Sequence, residues 1–130
     1  MLKTYALRLL PQQDLKKALI DLVKTKSIKA GVVLSSVGSL SELNIRLASS
    51  DQFLKLKQPF EILALNGTLC SAGVHLHISV ADSAGQCFGG HLMDGNIILT
   101  TCELVILDSK NYEFDRQLDP KTGYKELLIK

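Results

Sequence analysis

A chain of 130 residues and 14.2 kDa amounts to one domain, long enough to bury roughly two-thirds of its unfolded surface without a disulfide or metal to hold it. With 46% hydrophobic and 22% charged residues, the composition excludes a disordered, collagen-like or coiled-coil chain, and no apolar run approaches the ~18 residues of a membrane span. The formal charge of +2 does not by itself require a polyanionic partner.

Tyr5, Leu7 and Leu9 alternate within Thr4 to Leu10, as in a strand that Pro11 ends. From Leu15 the apolar residues Leu15, Ala18, Leu19, Leu22 and Val23 recur at helical spacing. Gln13 or Asp14 can start this helix, and Lys24 and Lys26 suit the negative end of its dipole. Ala30 to Val37 reads as a buried strand bounded by Gly31 and Gly38, and Leu40 to Ala48 as a half-exposed one. Ser49 to Pro59 reads as a loop with a short helical turn, and Phe60 to Leu69 as a strand interrupted at Asn66-Gly67. Val74 to Val80, Gln86 to Met93, Leu99 to Leu107 and Tyr112 to Leu118 complete a strand-rich second half, followed by a turn at Asp119-Pro120-Lys121-Thr122-Gly123. The order predicts a single α+β domain over residues 1–130, a largely antiparallel sheet with one main amphipathic helix.

The chain's three histidines carry the clearest chemical signal. Side chains alternate along a strand, so His75, His77 and Ser79 share one face while Val74, Leu76, Ile78 and Val80 face the core. Between Val80 and His91 lies a hairpin signal. A three-residue loop closed by a left-handed Gly85 would pair Asp82 with Gln86, Val80 with Phe88 and His77 with His91. A two-residue turn at Ala84-Gly85, or a bulge at Gly89-Gly90, would send His91 elsewhere. In the first register His75, His77 and His91 can meet one ion, and three imidazoles with an open fourth position suit zinc or another divalent first-row metal.

His75-Leu76-His77-Ile78-Ser79 with Ala81-Asp82, then Gly89-Gly90-His91-Leu92, resembles the signature of the plants-and-prokaryotes-conserved (PPC) domain. Gly31 to Leu40, Phe60 to Leu63 with Gly67-Thr68-Leu69, Thr100 to Ile106 and the tail Asp119 to Leu127 resemble further parts of that family. The resemblance implies an antiparallel α+β fold, a homotrimer, and the three histidines as metal-ligand positions, in a family whose prokaryotic members lack an established activity. In plants the domain follows AT-hook segments that enter the DNA minor groove; these 130 residues contain no such segment, and Lys57-Gln58-Pro59 precedes Phe60 where the plant motif has Gly-Arg. A trimer would also cover strands that one helix cannot shield.

Other residues are weaker candidates. Glu103 could orient or deprotonate a metal-bound water if its strand neighbours the histidine hairpin. Ser36 and Ser39 flank Gly38 and could contact an anion. Cys70, Cys87 and Cys102 form no metal or disulfide pattern and are expected in the core of a protein in a reducing compartment. Met1 to Arg8 lacks the features of a secretory signal, which makes the cytoplasm the expected location. Lys16, Lys17, Lys24, Lys26 and Lys29 give the helix region a basic side able to follow a phosphate backbone. The expected function is a regulatory or interaction module with a protein partner and a three-histidine metal site. The alternatives are a metal-dependent hydrolase or lyase, or direct DNA binding by the trimer.

Overall fold

The computed structural model describes residues 2–49 and 51–130. Its elements run β1 (Leu2–Leu9), α1 (Leu15–Lys26), β2 (Gly31–Arg46), β3 (Phe53–Cys70), β4 (Gly73–Ala81), β5 (Cys87–Leu92), β6 (Ile97–Ser109), β7 (Phe114–Leu118) and β8 (Lys125–Ile129). The helix starts where Asp14, in extended backbone, accepts the Lys17 N–H at 3.1 Å. It stops at Ser27, which turns left-handed at φ 51° and donates its N–H to the last turn. Leu15, Leu19 and Val23 are buried along one face, as their spacing predicts. Each such side chain contributes roughly 1.5–3 kcal/mol.

Six strands form one sheet in the order β1-β6-β2-β3-β4-β5, every pairing antiparallel. The end of β2 pairs again with β5 through Ile45↔Leu92 and Arg46↔His91, so β2, β3, β4 and β5 close on themselves. α1 packs over β3 and β4, and the core gathers Leu15 and Leu19 of the helix with Phe60, Leu76, Ile78 and Val80 of the sheet. β7 and β8 form a separate hairpin. Among the described residues no helix is long and apolar enough to cross a membrane.

Several segments differ from expectation, each for a local reason. Ala30–Val37 and Leu40–Ala48 are one bent strand, because Gly38 is no boundary: a Cβ there would lie 2.1 Å from the Thr101 carbonyl oxygen, so it is a point of close backbone approach. β3 starts at Phe53, inside the expected loop. Its Pro59, which cannot donate to a ladder, sits in a bulge where Gln58 and Pro59 oppose Ser41 alone. Gly67 does not interrupt β3 either, since Asn66↔His77, Gly67↔Leu76 and Thr68↔His75 pair continuously. The Asp119–Gly123 turn forms, with Gly123 left-handed at φ 77°, but it joins β7 to a further strand, β8, in place of the expected tail. Ser39 is buried within β2 and accepts the Thr100 N–H, so the expected anion-contacting turn does not exist. Cys70 and Cys102 lie in the core as expected, whereas Cys87 is exposed near the hairpin tip.

Candidate metal centre

The β4–β5 hairpin turns through Ser83-Ala84-Gly85. Asp82 N–H donates to the Gln86 carbonyl at 2.9 Å, and Gly85, left-handed at φ 78°, donates to the Asp82 carbonyl at 2.9 Å. This is the three-residue loop, and it sets the register Val80↔Phe88 and His77↔His91. The Asp82 carboxylate adds acceptance from the Ala84 and Gln86 N–H groups, both at 2.9 Å. Gly89 and Gly90 add no bulge. A Cβ at Gly90 would stand 2.6 Å from the Arg46 carbonyl oxygen, so this glycine admits the end of β2 beside the histidines.

All three histidines meet. Their ring centroids are 5.1 Å apart for His75–His77, 5.2 Å for His75–His91 and 5.8 Å for His77–His91. One nitrogen from each lies within 4.8 Å of the others. Tetrahedral zinc with bonds of about 2.0–2.1 Å needs nitrogens about 3.3 Å apart, a gap that small rotations of the exposed His75 and His77 rings can close. His91 is partly buried, and its Nδ1 is a buried polar atom without a hydrogen-bond partner. Such an atom costs free energy unless something binds it, so the donor set and the orphaned nitrogen fit a metal.

The surroundings disfavour charge on two of the rings. Burial, then the Arg46 guanidinium, pushes His91 down to about 4, and burial, then Arg116, lowers His75. In metal-free protein the unfolded chain therefore protonates His91 near its ordinary 6.5 while the fold resists down to about 4. The unfolded state binds the extra proton across that window, so stability falls as pH falls through it. Denaturation midpoints in EDTA should drop between about pH 6.5 and about pH 4, and drop less in His91→Gln; equal slopes would refute this origin.

Two arginines stand over the cluster. Arg46 is the β2 partner of His91. Arg116, on β7, donates Nη2 to Thr68 Oγ1 at 2.7 Å, and Thr68 is the β3 partner of His75. A cleft of about 380 Å³ opens between His75 and His91 on one side and the β7–β8 hairpin on the other. Sequence reasoning missed both arginines. Arg46 was visible only as the polar phase of an alternating strand, and nothing local marks either residue. Glu103, by contrast, lies on β6 opposite Arg8 and Val37, and β6 pairs with neither β4 nor β5. Val37 and Arg46 are nine residues apart on β2, about 30 Å of strand, so Glu103 does not reach the histidine cluster of its own chain.

The family model for the Plants and Prokaryotes Conserved domain, abbreviated PCC or PPC, matches residues 1–110. The chain belongs to the PPC family. A hypothetical protein from Salmonella cholerae-suis (Salmonella enterica) superposes on this PPC domain with a TM-score of 0.97 at 38% identity, covering 100% of this chain and 94% of that one. The metal-containing protein AF0104 from Archaeoglobus fulgidus gives 0.78 at 25% identity, covering 97% and 93%. A Bacteroides thetaiotaomicron protein named as a candidate DNA binder gives 0.84 at 24% identity, covering 96% and 91%, a likeness of fold. The PPC domain is also 54% identical over 128 residues to the Bifunctional protein GlmU of a Synechococcus strain, matching 98% of this chain but spanning only 20% of that relative's length.

Proposed function

We propose that this PPC domain binds one divalent metal ion, zinc before others, through His75, His77 and His91, and serves as a regulatory or interaction module of a homotrimer in the cytoplasm. The observation that carries the metal reading is the convergence of the three imidazoles, one nitrogen from each within 4.8 Å of the others. The name of the Archaeoglobus neighbour supports it. A similar segment occupying a fifth of a GlmU protein supports a module that works beside other domains and so meets a protein partner. The exposed apolar side chains Leu34 and Val37 on β2, Leu63 on β3 and Leu99 on β6 support assembly, since a second copy would cover them. The cleft beside the histidines also suits a hydrolase or lyase, in which the ion would act as a Lewis acid.

Elemental mass spectrometry on untagged protein incubated with zinc should find about one ion per chain, and His77→Ala should retain less than about a tenth of it. Light scattering should give about three times the 14.2 kDa chain mass. Wild type without metal overturns the site, and a monomer overturns the assembly. The second reading, direct DNA binding by the trimer, draws on the name of the Bacteroides neighbour and on exposed Lys17, Lys24 and Lys26. It requires affinity for duplex DNA to fall at least about tenfold between about 50 and about 200 mM salt; no binding, or salt-independent binding, removes it.

A further inference from the structure

The cleft beside the histidines joins two parts of the molecule. Arg46, His75 and His91 line it from the main sheet, and Arg116, Lys125 and Glu126 from the C-terminal hairpin. Three cations thus face a single carboxylate. Among the described residues neither guanidinium lies within 4.0 Å of a carboxylate oxygen, for the side-chain ion pairs involve lysines. Arg116 spends a bond on Thr68, yet a guanidinium has five N–H donors. Three uncharged imidazoles would also leave both charges of a divalent ion uncompensated. An ion and three side-chain cations around one cleft create a local field that only an anion balances.

We propose that the cleft binds the oxyanion of a small molecule, a carboxylate or a phosphate, which takes the open position on the metal and accepts N–H bonds from Arg46 and Arg116. Guanidinium suits this role because its planar fork matches both kinds of oxyanion. The inference rests on the metal reading above and adds its ligand class. It also gives the C-terminal hairpin a task. Arg116, Lys125 and Glu126 lie beyond the residues 1–110 that the family model matches, and an anion held between sheet and hairpin would fasten the hairpin down.

The test is calorimetric titration of zinc-loaded protein with succinate and, separately, with inorganic phosphate, with metal content measured on every sample. One of the two should bind, and the tighter arm identifies the oxyanion. Arg46→Gln and Arg116→Gln, on different elements, should each weaken that binding at least tenfold while retaining about one ion per chain. Amide hydrogen exchange over residues 114–129 should slow when the wild type is saturated. Metal-loaded wild type that binds neither anion at about 10 mM, or undiminished binding in either variant, overturns the inference and leaves the metal site standing. Wild type without zinc overturns the metal reading itself, and the elemental analysis tells the two failures apart.

Discussion

Replacing Asn96 by Asp should destabilise the protein by about 3–5 kcal/mol, the cost of an uncompensated buried charge. Asn96 is completely buried. Its Nδ2 donates to the Asn44 carbonyl at 2.8 Å and the Met93 carbonyl at 2.7 Å, and its Oδ1 accepts the Asn44 N–H at 2.8 Å. An aspartate would keep the last bond but turn a second oxygen toward two carbonyl oxygens, with no water to separate them. The site is also structural for the histidines, because Asn44 lies two residues before Arg46, where β2 pairs with His91 and closes the sheet. Urea denaturation at about pH 7 should show the loss, with a fall in Tm of about 10–25 °C for a domain of this size. A loss below about 1 kcal/mol would mean that the Asn96 side chain is not what holds β2 to the loop before β6.

How much of this was legible in the sequence depended on how far apart the interacting residues lie. The pairing of His77 with His91 could be counted because the loop between them is short and Gly85 selects its geometry. The helix could be read because its buried stripe repeats within twelve residues. What could not be read are features that need a distant partner. Ser49 to Pro59 reads as a loop, and the bulge that fits Pro59 into β3 needs Ser41 on β2 as its partner. Gly38 resembled a boundary because its neighbour, the Thr101 carbonyl, is far along the chain. Arg46 and Arg116 have no local signature, since one reaches the histidines through ring closure of the sheet and the other through a bond to Thr68. Glu103 failed for the same reason in reverse: strand alternation gave its face, but strand order decides what that face meets, and β6 lies on the far side of β2 from the ladder that holds His75.

Gly67→Ala should unfold the histidine face as well as destabilise the domain, and Gly73→Ala separates the two causes at work. Both glycines have positive φ, 153° at Gly67 and 147° at Gly73, so an L side chain strains either backbone by about 1–3 kcal/mol. Only Gly67 adds a collision. Its Cβ would stand 1.9 Å from the His75 carbonyl oxygen and 2.9 Å from the Leu76 Cα, whereas a Cβ at Gly73 meets nothing within 4 Å. The collision partner is backbone inside the β3–β4 ladder, so it cannot swing away as a flexible side chain would. Relief requires β4 to lift between His75 and His77, the two histidines it carries. Gly73→Ala should therefore lose about 1–3 kcal/mol and keep its zinc. Gly67→Ala should lose roughly 4 kcal/mol or more, strain and overpacking together, and bind zinc at least tenfold more weakly wherever it still folds. Equal losses of stability in the two variants would show that φ alone requires glycine at Gly67, and that the close approach of β4 does not constrain where the imidazoles stand.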